Sequence, residues 1–204
     1  VDRLVIVSAA TRPEFTPGLV DRFLVAARAQ GIESILVVTK LDLLPKGGAK
    51  PWDFYRSLGL QVFELSLVDQ SIGTPLPEIL RFLEGFQRVV FAGHSGVGKT
   101  SLLKALTGQE VGATGDVNRE TGKGRHTTTS ARQIVPTSFV DTPGVKEFGL
   151  FDVQSDQLRY LFPEMASLEC EAPSCLHVGE DGCEAEKLYR YESYRRIYDS
   201  LENL

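Results

Sequence analysis

The sequence predicts an α/β domain, a mostly parallel sheet with helices on both faces, followed by a small helical zinc-binding domain. Three observations predict it. Short runs rich in Val and Ile alternate with segments whose apolar residues recur at helical spacing, the pattern of strands joined by covering helices. A glycine-rich loop links one such run directly to one such segment. Strand signals stop near Phe148, and three cysteines with a histidine then crowd into one short stretch. A chain of 204 residues accommodates one α/β domain and a small appendage. The boundaries follow as 1–147 and 148–204.

The run at 4–7 reads as a buried strand. Leu19, Val20, Phe23, Leu24 and Ala27 then recur at helical spacing, with Gly31 as the stop. A second strand is expected at 35–39, a helix at 52–58 behind Pro51, and a third strand at 62–65. A helix at 77–84 leads to a fourth strand at 88–92. The helix at 99–107 closes on Gly108, and 132–135 and 138–140 read as further strands.

Hydrophobic residues at 42% and charged residues at 24% exclude a disordered chain. A net charge of -5 argues against a protein that grips nucleic acid with its whole surface, although a local basic patch is compatible with it. No apolar run approaches the roughly 20 residues that span a bilayer, and no secretory signal is present. No membrane association and a cytoplasmic location are therefore expected; a monomer is expected as well. The chain opens on Val1 rather than Met, which leaves room for a domain ahead of it.

The strongest motif is Gly93-His94-Ser95-Gly96-Val97-Gly98-Lys99-Thr100, with Ser101 beside it. Its glycines let backbone N–H groups wrap phosphate oxygens. Lys99 can reach the β and γ phosphates, and the Thr100 hydroxyl can ligate Mg²⁺. Asp141-Thr142-Pro143-Gly144 follows a strand. Its carboxylate can hold Mg²⁺ through water, and the Gly144 N–H can meet a γ-phosphate. Thr39-Lys40-Leu41-Asp42 follows another strand. Asp42 can accept both donors of a guanine edge while Lys40 lays its stem over the base, which selects GTP over ATP. Ser66 can add backbone support to the base. In an ordinary GTPase the base reader comes last; here it precedes the phosphate loop, so the domain reads as circularly permuted, an arrangement that neighbouring termini permit.

Cys170-x4-Cys175-x-His177-x5-Cys183 offers three thiolates and one imidazole, a closed tetrahedral set for one structural Zn²⁺. Around the glycines of the segment 119–132, Arg119, Lys123, Arg125 and Arg132 face one acid, Glu120. That segment reads either as a solvated loop or as a contact for RNA. Leu188, Tyr191, Tyr194, Tyr198 and Leu201 form a helical stripe, read as a core face or, with Arg190, Arg195 and Arg196, as an RNA platform.

In order, the V-D-R opening, F-L-V-A-A, T-K-L-D-L-L, G-H-S-G-V-G-K-T-S-L, G-R-H-T-T-T, D-T-P-G and the Cys/His knuckle resemble the ribosome small-subunit-dependent GTPase A family (RsgA, also called YjeQ). The resemblance covers nearly the whole chain. It lacks the N-terminal OB-fold domain usual in the family, and Thr39 stands where the family usually has Asn. It implies a GTPase acting late in small (30S) ribosomal subunit maturation, with the subunit and its rRNA as partners and stimulants of turnover. GTP/GDP with Mg²⁺ and one structural Zn²⁺ are the implied cofactors, the latter on the same four ligands. It further implies that Thr128, or a neighbouring threonine, completes the Mg²⁺ shell. Val145 stands where many GTPases place a water-orienting Gln, and the resemblance offers His126 as its replacement. Lys99, His126 and Thr128 are thus the implied catalytic groups. A P-loop ATPase or small-molecule kinase, and an RNA-binding scaffold with little hydrolysis, are the competing readings.

Overall fold

The computed structural model describes residues 1–108, 132–134, 139–141, 150 and 153–203, with backbone alone at 132–134, 140 and 141. Six strands, β1 (Arg3–Ala9), β2 (Glu33–Thr39), β3 (Gln61–Glu64), β4 (Val89–Ala92), β5 (Arg132–Ile134) and β6 (Phe139–Asp141), form one sheet in the order β3-β2-β1-β4-β6-β5. All neighbours run parallel except β5, which is antiparallel to β6 at the edge.

Every residue of β1 is buried, which explains its unbroken apolar run: a central parallel strand has no solvent face. Its side chains divide by parity. Val5, Val7 and Ala9 enter one core with Ile35, Val37, Phe91, Leu102 and Leu106, whereas Leu4 and Ile6 enter the other with Phe23, Leu24, Trp52 and Tyr55. Each fully buried side chain of this kind contributes about 2 kcal/mol. Helices α1 (Pro17–Ala29) and α2 (Asp53–Ser57) cover one face; α3 (Leu76–Leu83) and α4 (Lys99–Thr107) cover the other. The expected strands and helices are all present, shifted by one or two residues at their ends.

The C-terminal region holds short helices α5 (Leu158–Leu161) and α6 (Pro163–Ala166) and the longer α7 (Tyr191–Glu202). They build a third core with Leu150, Val153, Phe162, Met165 and Tyr194, into which α1 sends Val25 and Ala26. Helix α1 is therefore apolar on two sides, one toward the sheet and one toward the C-terminal region. A charged cluster closes this contact. Arg190 donates to Asp21 at 3.0 Å and bidentately to Glu164, with its guanidinium 4.6 Å from the Phe162 ring. Tyr55 donates to Asp21 at 3.0 Å. Burial raises the Asp21 pKa despite Arg190, while for Arg190 burial is more than offset by Glu164 and Asp21.

The stripe on α7 is a core face. Tyr194 is fully buried, and Leu188, Tyr191, Tyr198 and Leu201 pack around it. Of the cations in the RNA-platform reading, Arg190 is buried in the charged cluster and Arg195 donates to the Val178 carbonyl, while Arg196 is exposed. Among the described residues, no helix is long and apolar enough to cross a membrane.

Candidate functional site

The strands β1, β2 and β4 are mutually parallel, so their carboxyl ends open at one edge of the sheet, where crevices for ligands form. The phosphate loop leaves β4. At Gly93 a Cβ would stand 2.1 Å from the Val7 carbonyl oxygen, so only glycine lets the loop pass β1. Gly98, in the left-handed region at φ 95, caps α4, and Val97 is buried beneath it. His94, Ser95, Gly96, Thr100 and Ser101 are exposed. The Lys99 ammonium donates to the carbonyls of Gly93 at 2.7 Å and His94 at 3.0 Å, inside its own loop.

The segment after β2 is bonded to this loop. Thr39 is fully buried and donates its hydroxyl to Val97 O at 2.5 Å, with Ser8 O a weaker acceptor at 3.2 Å. Its side chain thus faces the phosphate loop. Lys40, left-handed at φ 59, runs its stem alongside and donates to Gly96 O at 2.7 Å and to Arg12 O. Asp42 is the middle residue of the 3-10 turn Leu41–Leu43. Ser66 donates to its Oδ1 at 2.6 Å, and Ser66 Oγ accepts from the N–H groups of Val68 and Asp69. The Ser66 side chain thus orients the Asp42 carboxylate, a contact the sequence does not predict.

Glu64, the last residue of β3, anchors this corner. It accepts from Trp52 at 2.9 Å, Lys50 at 2.7 Å and Arg56. Burial opposes its charge, but the three donors together hold the carboxyl below its usual range. Nothing local marks Glu64; a charged residue at an otherwise apolar strand end was the available signal.

Asp141 ends β6, and its backbone registers against Phe91 of β4, just before the phosphate loop. His126, Thr128 and Gly144, with Val145 and the basic residues Arg119, Lys123 and Arg125, lie outside the described residues. Of the residues expected at Mg²⁺, the described ones are Thr100 and, by its backbone, Asp141, both at the same edge of the sheet.

Cys170, Cys175, His177 and Cys183 converge, with their ligand atoms all within 4.8 Å of one another. His177 Nδ1 lies 3.5 Å from Cys170 Sγ and Cys175 Sγ and 3.3 Å from Cys183 Sγ; Cys170 and Cys183 sulfurs are 3.8 Å apart. Zinc bonds of about 2.3 Å to sulfur and about 2.0 Å to nitrogen give tetrahedral edges of about 3.8 and 3.5 Å, so the set fits that ion. Burial and the neighbouring thiols push Cys175 up to about 12, a penalty that a cation among them would reverse. The Met165 backbone hydrogen-bonds the His177 ring. Glu180 accepts from the N–H groups of Leu176 and Val178, both at 2.7 Å, and Arg159 and Tyr194 tie the Cys175 and Leu176 carbonyls to α5 and α7. These are the outer contacts that orient metal ligands.

Residues 1–151 match the family described as RsgA GTPase. A protein of Klebsiella pneumoniae (strain 342) named small ribosomal subunit biogenesis GTPase RsgA is 37% identical over the whole of this chain. The chain spans 62% of that relative's length, less than two thirds. A Chlorobaculum parvum protein of the same name is 36% identical over 99% of the chain and is itself covered over 68%. The crystal structure of YloQ, titled a circularly permuted GTPase, superposes with a TM-score of 0.71 at 30% identity, over all of this chain and 69% of that one. YjeQ from Thermotoga maritima gives 0.70 at 26% identity, over all of this chain and 72% of its own.

Proposed function

Because the chain belongs to the RsgA GTPase family, we propose that it hydrolyses GTP to GDP and phosphate in late maturation of the small (30S) ribosomal subunit, which stimulates turnover. One observation carries the reading: base reader and phosphate loop are bonded into one unit, through Thr39 to Val97 and Lys40 to Gly96. A P-loop kinase or ATPase has no need of a carboxylate held ready by Ser66 beside that unit.

In this reading Asp42 accepts the guanine N1–H and amino group, and Lys40 covers the base. The N–H groups of 93–98 cradle the phosphates, and Lys99 leaves its own loop carbonyls to meet the β and γ oxygens. Mg²⁺, held by Thr100, Asp141 and Thr128, supplies charge neutralisation across those oxygens when bound. The Gly144 N–H meets the γ-phosphate, and His126 positions the attacking water in place of the Gln that Val145 replaces. Cys170, Cys175, His177 and Cys183 would hold one structural Zn²⁺ within a C-terminal domain at 148–204 that follows a GTPase domain at 1–147. The basic segment 119–132 meets rRNA, and the protein works as a cytoplasmic monomer.

The test is multiple-turnover phosphate release from GTP and from ATP, with purified small subunits, with large subunits and with neither. Slow GTP-specific turnover that only small subunits accelerate is expected. Equal use of ATP, or no turnover with small subunits, would overturn the proposal.

A further inference from the structure

Arg12 lies on the loop that leaves β1. Its carbonyl accepts from the same Lys40 ammonium that donates to Gly96 O at 2.7 Å. One ammonium bridges both oxygens, so they lie no more than two hydrogen-bond lengths apart. The next residue repeats the contact: a Cβ built on Gly96 would stand 4.0 Å from Pro13 Cδ. Loop 10–16 therefore rests on the phosphate loop at Gly96, one of the residues whose N–H groups face bound phosphate in loops of this sequence.

Arg12 sits in the left-handed region at φ 53. A residue with a side chain stays there only where its surroundings impose it, and here Lys40 supplies the restraint. The residue is exposed, and among the described residues its guanidinium has no hydrogen bond or ion pair. Arg3, Arg56 and Arg190 by contrast are committed to carboxylates. A long, permanently charged side chain is thus tethered by its backbone to the phosphate loop and left uncommitted.

We propose that Arg12 is a catalytic residue supplied by the chain itself, whose guanidinium reaches over Gly96 to the β–γ bridging oxygen and the γ-phosphate. This inference rests on the GTPase reading and deepens it. In hydrolysis the water oxygen bonds to the γ-phosphorus, the bond from that phosphorus to the bridging oxygen breaks, and its electron pair stays on GDP. One water proton passes to the released phosphate. Arg12 stays protonated throughout and donates hydrogen bonds to the oxygens where charge builds, the work of a cis-acting arginine. Its planar fork suits two oxygens at once, which an ammonium cannot match.

The experiment compares the parent with Arg12→Ala and Arg12→Lys, using purified small subunits. Stimulated kcat should fall by about 10³-fold in Arg12→Ala, the low end for such arginines, and recover only partly in Arg12→Lys. Affinities for GTP and GDP, read with fluorescent nucleotide analogues, should stay within a few fold and show that the variants are folded. Binding of GDP with aluminium fluoride, which mimics the transferring phosphoryl group, should be lost in Arg12→Ala. No turnover in the parent overturns the GTPase reading and this one with it. Parent-like kcat in Arg12→Ala overturns this one alone. Loss of co-sedimentation with small subunits, at unchanged aluminium fluoride binding, makes Arg12 a subunit contact and overturns it as well.

Discussion

Asp42 and Thr39 show how much of the site depends on single protons. Ser66 has one hydroxyl proton and gives it to Asp42 Oδ1, so the carboxylate is oriented before any ligand arrives. Replacing that acceptor by an amide reverses the edge it presents. Asp42→Asn is expected to lower GTP affinity by roughly 10²-fold or more, since two charge-assisted hydrogen bonds of about 1.5–3 kcal/mol each are lost. It should also raise affinity for xanthosine triphosphate. Competition titration of the two nucleotides checks this, and unchanged GTP affinity would remove Asp42 from the base site. Thr39 has one proton too, and it goes to the buried Val97 carbonyl. Thr39→Val keeps the shape and orphans that carbonyl, at a cost of about 1–3 kcal/mol. GTP and GDP affinities should weaken together, because the bond joins base reader to phosphate loop and touches no terminal phosphate. Isothermal titration with both nucleotides decides it; weakening confined to GTP would contradict that role.

At the scale of elements, β3 and α2 are joined by Glu64. This strand end carries Ser66 two residues later, so holding it still also holds Asp42. Glu64 titrates below the usual carboxyl range because Lys50, Trp52 and Arg56 together outweigh its burial. Its folded pKa is depressed relative to the unfolded chain. The stability it contributes is therefore complete above the unfolded carboxyl pKa of about 4.3 and is lost as pH falls through the lower folded value. Glu64→Gln should be less stable than the parent near neutral pH, and the gap should narrow toward pH 3. Urea unfolding at a series of pH values measures it. A gap that stays constant down the acid range would show that the pairing with Lys50 and Arg56 contributes nothing. Helix α1 is the other joint, with Phe23 and Leu24 toward the sheet and Val25 and Ala26 toward the C-terminal core.

Over the whole molecule, the first two cores share the sheet, the second and third share α1, and the Cys/His knuckle packs beside the third. Cys175 is buried and its carbonyl is held by Arg159, so the knuckle and helices α5 and α7 are one packed unit. Elemental analysis should find one zinc per chain, lost in Cys175→Ser. Without it the third core should loosen, seen as faster amide exchange over 153–203, while guanine nucleotide affinity changes by no more than a few fold. The reason is separation: Thr39, Lys40, Asp42 and the phosphate loop stand on strands whose cores contain no residue of the knuckle. A metal-free chain with unchanged exchange would show that packing alone holds the C-terminal region.

Legible from the sequence alone were the phosphate loop, the T-K-L-D segment beside it, the permuted order and the four Cys/His residues that converge in the knuckle. Each depends on residues a few positions apart, where spacing and backbone geometry almost dictate the arrangement. The alternation of strand and helix was legible for the same reason, since each element declares its own period. Tertiary structure alone decided the partnerships. Arg190 meets Asp21 across 169 positions, Ser66 turns its hydroxyl to Asp42, and Arg12 comes to rest beside Gly96 through Lys40. A buried charge is tolerable only where its counter-charge and donors have already been assembled around it. No local pattern announces such an assembly, because the groups that satisfy it come from elements that meet only when the chain has folded.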